Sequence, residues 1–158
     1  MTTRAEIIEA IRANDARVEA LRAGIAERPE QPLLEGEWRV RDALSHVAAR
    51  GNPVPRMLAR LQQAARNPGN APRLNIDEIN HGQVEERRGA GTDELLSELA
   101  ASHETAIREL EALDDELLAS EIPFGYRPGM TTVGEMLRLA GPGHEANHLD
   151  TIDAALRA

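Results

Sequence analysis

The sequence contains no cysteine. That excludes disulfides, thiolate zinc sites, cysteine-ligated iron–sulfur clusters and cysteine nucleophiles, so any metal must be held by histidine and carboxylate. Lysine is missing too: all 18 basic residues are Arg, which removes lysine Schiff-base chemistry and a lysine general base. Aromatics make up 2 % of the chain, as Trp38, Phe124 and Tyr126. There is no platform for stacking bases or sugars, and the core must be built from Leu, Ile, Val and Ala. No apolar run approaches the roughly 18 residues of a membrane span. Met1 leads into a polar segment without a signal-peptide core, so a cytoplasmic protein with no membrane partner is expected.

What is present is acidic and globular. The 158 residues carry 27 acidic against 18 basic side chains, a net charge of −9, with 41 % hydrophobic residues. A field of that sign repels nucleic acid and anionic membranes, so no nucleic-acid partner is expected. The length suits one domain, residues 1–158, with a core of its own.

Apolar residues recur at helical period along most of the chain. A first helix is expected from Thr3 to Glu27, with Thr3 and Glu6 as a capping box and Ile7, Ile8, Ile11, Val18, Leu21 and Ile25 as its stripe. A second, residues 39–66, should kink or split at Gly51-Asn52-Pro53-Val54-Pro55, because proline removes backbone donors and clashes with the preceding turn. Asn67 to Asn70 reads as a loop and Asn75–Arg88 as a short helix. A long helix follows from a Thr92 cap to Ser120, then a loop over Pro123–Gly129. Thr132, with Glu135 three residues on, opens a last helix to Arg157. No segment alternates at period two for long enough to make a strand. The pattern predicts an all-α protein, a four-helix bundle with a short additional connecting helix.

His144 and His148 lie four apart on one helix, so their rings share a face about 6 Å apart along the axis. They fall in the stripe of Val133, Leu137, Ala140 and Ile152. Two readings stand: a chelate for one metal ion, or core histidines satisfied by carbonyls and carboxylates. His144-Glu145-Ala146-Asn147-His148 also spells H-E-x-x-H, but a zinc protease needs a downstream third ligand and an adjacent sheet. Only ten residues follow, none of them His. In a bundle the third ligand would come from a facing helix, leaving His46, His81 and His103. By helical angle His46 lies on the flank of its stripe and reads as boundary or exposed. His81 and His103 read as surface residues.

Three segments in order resemble the DinB-like superfamily. They are Trp38 to His46 (WRVRDALSH), an aromatic with a histidine eight residues on; Asn80 to Arg88 (NHGQVEERR), like the family's connector; and Thr132 to Leu139 followed by His144 and His148. The resemblance implies a four-helix bundle with a three-histidine metal site, which maps onto His46, His144 and His148. It implies a divalent metal, zinc or nickel, and, as in mycothiol-dependent maleylpyruvate isomerase, a low-molecular-weight thiol cosubstrate with a small-molecule substrate. The implied activity is a metal-dependent S-transferase or hydrolase. A metal- or small-ligand-binding stress protein without turnover is the alternative. Related bundles often pair, so a homodimer is expected.

Three protein ligands would leave one coordination position open. Affinity should then fall below about pH 6 as imidazole protonates. Gly141-Pro142-Gly143 interrupts the last helix directly before His144; it could be a tolerated kink, a widening of the pocket or a displacement of His144. Glu145 reads as a second-layer or surface group. Asp42 and Asp150 could orient imidazoles but read first as solvated charges. Trp38 should pack the bundle end.

Overall fold

A computed structural model describes residues 1–69, 73–125 and 127–158. It has four helical arms. The first is α1 (Arg4–Glu27). The second is α2 (Val40–Arg50) followed by α3 (Val54–Arg66). The third is α5 (Thr92–Ala112), and the fourth α7 (Val133–Arg138) followed by α8 (His144–Arg157). The short α4 (Ile76–Glu86) connects the second and third arms and lies against α2. The arrangement is the four-helix bundle with one extra connecting helix that the periodicity predicts.

Local chemistry explains the boundaries. The Thr3 side chain accepts the Glu6 N–H, and the Glu6 carboxylate accepts the Thr3 N–H at 2.6 Å, closing the expected capping box on α1. The Thr132 hydroxyl likewise accepts Glu135 N–H at the start of α7. Asp42 folds back on Arg39, accepting its backbone N–H and its guanidinium, and so fixes the start of α2. Asn75 caps α4 through Glu78 N–H.

Three expectations need correction, and the two expected helix breaks take definite form. Of the expected kink or split, the second helix splits: it stops at Arg50 and restarts at Val54, because Gly51, Asn52 and Pro53 cannot sustain the ladder. Asn52 Oδ1 caps the restart by accepting Val54 N–H at 3.1 Å. Thr92 is the first residue of α5, with Gly91 in the cap position. That helix ends at Ala112, and a separate short α6 (Asp115–Ala119) follows. The region expected to contain no strand holds a small antiparallel hairpin, β1 (Glu121–Pro123) with β2 (Met130–Thr132), too short for alternation to reveal. The expected break in the last helix is a π-like turn over Leu139–Gly143, in which Gly141 leaves helical geometry (φ −99°, ψ −107°). Asn70 and Tyr126 lie outside the described residues.

The apolar core falls into two clusters. One joins Val18 and Ile25 of α1 to Leu44 and Val47 of α2, Leu96 and Leu99 of α5, and Leu149 and Ile152 of α8. The other joins Ile7 and Ile11 to Met57 of α3, Ile107 and Leu110 of α5, and Met136 and Leu137 of α7. Between them every arm contributes a polar or broken position: Asn14 and Asp15, Gly51 to Pro53, His103, and Gly141 to Glu145. The two helix breaks meet there. A Cβ on Gly141 would lie 2.7 Å from Pro53 Cγ, and one on Gly51 would lie 2.8 Å from Ser102 Cβ. In the broken turn the Pro142 carbonyl is met by the buried Asn14 side chain, which donates to it at 2.9 Å.

This close approach makes Gly141 a packing position. Gly141→Ala is expected to destabilise the fold by about 1–3 kcal/mol through overpacking against Pro53. Gly82, inside α4 with open space around it, should respond in the opposite direction, with Gly82→Ala gaining about 0.5–1 kcal/mol from helix propensity. Urea titrations of both variants check the pair.

Candidate metal centre

The site begins with α2, which is enclosed on nearly all sides. Asp42 to Ala48 are all buried, because α4, α5 and α8 all pack on this helix. His46 is therefore 1 % exposed, although its angle puts it on the flank of the stripe. On the fourth arm, the π-like turn resets the phase of the helix. The inward positions of α8 are Glu145, Leu149, Ile152 and Ala155, so His144 and His148 are rotated to a half-buried flank facing α2.

The structure brings together the three histidines that the family resemblance picks out. One ring nitrogen from each of His46, His144 and His148 lies within 4.8 Å of the others, the one such gathering of histidine and carboxylate ligands found among the described residues. His46 Nε2 and His144 Nε2 are 2.9 Å apart. Ring centroids are separated by 5.2 Å for His46–His144, 4.7 Å for His46–His148 and 4.6 Å for His144–His148. Trp38 closes one side, 5.1 Å from the His46 ring and 6.1 Å from that of His148. It packs beside the histidines and against the core cluster of Leu44 and Leu149.

Gln83 of α4 determines which His46 nitrogen is free. Its Oε1 lies 2.8 Å from His46 Nδ1. An amide oxygen can only accept, so the proton sits on Nδ1 and Nε2 presents its lone pair toward His144. Gln83 is held there by ties around α4. Arg87 donates to the Gln83 carbonyl and pairs with Glu98 of α5, and Arg41 of α2 donates to the Arg88 and Ala90 carbonyls. Gln83 was not among the sequence candidates; its one signal is its place within the connector segment Asn80–Arg88.

The electrostatics keep these imidazoles neutral. Burial is the main cause for His46, reinforced by His148 and by Arg50 and Arg56, and its pKa falls to about 4. Burial, then His148, Arg50, His46 and Arg56, takes His144 to about 3. Burial and Arg50 lower His148 as well. A site that stays unprotonated in mildly acidic solution is ready to donate lone pairs.

Two other expectations are overturned. His103 is not a surface residue but fully buried, with Nδ1 2.5 Å from Asp15 Oδ1 and Nε2 2.8 Å from Glu145 Oε2. Burial disfavours its charge, yet the hydrogen bonds and charges of Glu145 and then Asp15 outweigh that and raise its pKa. Glu145 is accordingly an interior partner of His103, 5 % exposed, and not a surface group. Neither Asp42 nor Asp150 orients an imidazole: Asp42 is buried against Arg39, and Asp150 pairs with Arg17 of α1. His81 is exposed, as expected.

With this geometry in view, the chain was compared with known proteins. The family model described as the mycothiol maleylpyruvate isomerase N-terminal domain matches residues 10–140. No curated protein matches the sequence. Among solved structures, the colibactin self-resistance protein ClbS, in complex with a dsDNA, is similar at 16 % identity with a TM-score of 0.74, over 100 % of this chain and 98 % of that one. YfiT from Bacillus subtilis, described as a probable metal-dependent hydrolase with an unusual four-helix bundle topology, is similar at 17 % identity and TM-score 0.70, over 98 % and 86 %. An uncharacterised protein from Clostridium difficile 630 is similar at 12 % and TM-score 0.71, over 96 % and 94 %. At these identities the likeness is one of fold. The duplex bound to ClbS means that the expectation of no nucleic-acid partner gains no support from these neighbours. No helix among the described residues is long and apolar enough to cross a membrane.

The bridge from the partly exposed Asp15 through buried His103 to buried Glu145 makes a prediction. Removing one partner of a buried charged pair strands the other, so His103→Ala is expected to cost about 3–5 kcal/mol. The pH dependence follows from the raised pKa. Folding strengthens proton binding at His103, so its stabilisation is complete below the ordinary value of 6.5 and is lost as pH rises through the higher folded-state value. The stability gap between wild type and His103→Gln should therefore narrow on moving to alkaline pH. Urea unfolding at a series of pH values measures it; a gap that widens would show that His103 is held neutral.

Proposed function

Since the chain belongs to the mycothiol maleylpyruvate isomerase N-terminal domain family, and with it to the DinB-like superfamily, we propose that it is a metal-dependent enzyme acting on a small molecule. His46, His144 and His148 would bind one divalent ion, zinc or nickel. The reaction we favour is thiol-dependent S-transfer, with hydrolysis as the second reading. The observation that carries the proposal is the convergence of three imidazole nitrogens within 4.8 Å from two facing helices.

The donor set fits such an ion. Nitrogens bound to zinc at about 2.0–2.1 Å in a tetrahedron lie about 3.3 Å apart. The 2.9 Å separation of His46 Nε2 and His144 Nε2, with all three donors inside 4.8 Å, brackets that value. Both nitrogens of the close pair can donate lone pairs only when neither carries a proton. The acceptor Gln83 Oε1 secures that at His46, in the manner of outer groups that fix ligand tautomers. Imidazole ligands suit zinc, nickel, copper and iron alike, so the donor type does not select among them. Three ligands leave a position for substrate, where the ion would supply Lewis acidity toward a bound water or thiolate.

The chain's own residues do the rest. Trp38 shields the His46 and His148 rings from water on one side, while the half-buried His144 and His148 leave the other side accessible. The alternative is a protein that holds a metal or small ligand without turnover. Activity with low-molecular-weight thiols and electrophiles separates the two. A homodimer remains part of the proposal on family likeness, a cytoplasmic setting on the lack of a signal-peptide core after Met1, and a single domain over residues 1–158 on length.

Metal analysis tests the centre. Protein purified without chelators and reconstituted with zinc or nickel is expected to bind about one ion. His148→Ala should lose most of it with the helices intact, and the exposed His81→Ala should not. Because burial and nearby arginines hold His46 near 4 and His144 near 3, bound metal should persist below the pH of about 6 at which ordinary histidines protonate. Equal losses in the His81 and His148 variants would refute the assignment.

The proposal gives duplex DNA no role, on the strength of the net charge of −9. Fluorescence anisotropy with a labelled duplex at physiological salt should show no sequence-dependent binding in the submicromolar range typical of specific DNA-binding proteins, about 10⁻⁸ M or tighter. Such binding would move the reading toward the behaviour of ClbS.

A further inference from the structure

Two arginines beside the histidines are left without acidic partners. Arg50 lies one helical turn beyond His46, on the same face of α2. Its side chain makes no hydrogen bond or ion pair among the described residues, and its Nε is buried with nothing to donate to. Arg56, at the start of α3, reaches back to donate to the Arg50 carbonyl at 3.1 Å and pairs with no carboxylate. In a chain with 27 acidic residues, two half-buried arginines that pair with no carboxylate among the described residues are an anomaly.

Four carboxylates on the surrounding elements are engaged elsewhere. Asp42 holds Arg39, Glu98 holds Arg87, Glu109 accepts from Asn52, and Glu145 accepts from His103. Both guanidinium groups bear on the histidines: Arg50 and Arg56 disfavour protonation of His46 and His144, and Arg50 that of His148. Burial weakens the hold of Arg56 on its own proton, to about 10, and the neighbouring Arg50 adds to this. Two partly buried cations near three neutral imidazoles give this site a positive charge, and a divalent ion would raise it by two. A group of planar, fork-shaped donors in that setting suits a carboxylate.

We propose that Arg50 and Arg56 form an anion-binding subsite that takes the carboxylate of a small organic ligand whose other end reaches His46, His144 and His148. This deepens the metal-centre reading and rests on it for the second end of the ligand. The subsite selects substrates bearing a carboxylate a few bonds from the reacting atom. Arg50 and Arg56 are positioning residues for that ligand.

The test compares 3-mercaptopropionate with its neutral isostere 3-mercaptopropionamide on the Co²⁺-loaded protein. Thiolate ligation, with the thiol proton passing to buffer, is followed by the sulfur-to-cobalt absorption band. The carboxylate compound is expected to bind about tenfold or more tighter, the scale of one charge-assisted hydrogen bond. In R50Q/R56Q the preference should fall to about twofold or less, as expected when the charged hydrogen bonds are gone. Cobalt stoichiometry and amide affinity should stay unchanged. A ratio near one in the wild type, or a ratio that survives in R50Q/R56Q, overturns the subsite while leaving the metal reading standing. If cobalt is not bound, the metal reading fails by itself. The same two compounds, titrated calorimetrically into the metal-free protein, then decide the subsite: a carboxylate preference lost in R50Q/R56Q upholds it, and its absence overturns it.

Discussion

His103 held between Asp15 and Glu145 is the contact on which the rest of the bundle depends. Its ring is fully buried at the level where the apolar core divides in two. A bundle of aliphatic helices can slide and rotate at small cost, since one leucine layer resembles the next. A charged bridge resists this: parting His103 from Glu145 leaves a carboxylate or an imidazolium in the interior without compensation, while the partly exposed Asp15 holds the other ring nitrogen. Asp15 on α1, His103 on α5 and Glu145 on α8 thereby lock the register of three arms. The fourth arm is fixed at the same level by steric fit, with Gly51 against Ser102 and Pro53 against Gly141.

The break in the last arm then acquires a purpose within the fold. Glu145 and His144 are adjacent, about 100° apart on a helix. With Glu145 anchored inward on His103, His144 must point to the flank, and His148, one turn on, must follow it. A continuous helix carrying the phase of Val133 and Leu137 through Leu139–Gly143 would set Glu145 at a different angle. The π-like turn absorbs that difference, and Asn14 satisfies the carbonyl it exposes. Interruptions of this kind often mark functional positions in helices. Here the interruption sets which face of α8 is core and which faces α2.

This also explains how much of the molecule could be read from the chain. Caps were legible because they are local: Thr3 with Glu6 and Thr132 with Glu135 declare themselves within four residues. The His144–His148 spacing was legible for the same reason. The stripe assigned to those histidines was not, because it was extended across the π-like turn as if the phase were preserved. His103 was misread through its chemistry and not its position. It stands four residues after Leu99 and four before Ile107, on the buried stripe, and Asn14 stands likewise between Ile11 and Val18. Their spacing puts both on the inner face, while the polarity that made His103 read as a surface residue reflects that a buried polar group needs partners from other helices. His46 failed in the reverse sense. A flank position is exposed on a helix with two neighbours, but α2 has three, and only the family likeness carried that information. The interest of Gln83 and Arg50 depends on contacts between α4, α2 and α8, which no local pattern encodes.

The two buried polar assemblies lie on opposite sides of Glu145 and obey opposite electrostatics. On the core side, one imidazole sits between two carboxylates and gains affinity for its proton. On the flank, three imidazoles sit beside two arginines and lose theirs. Histidine serves both, and the neighbours alone decide whether it acts as a cation that ties helices or as a lone-pair donor. The separation is itself stabilising. Were Glu145 turned to the flank, it would neutralise the recess near Arg50 and leave His103 half-paired. By committing that carboxylate to the interior bridge, the fold leaves the histidine recess without an internal counter-charge, so that its positive potential falls on whatever ligand enters.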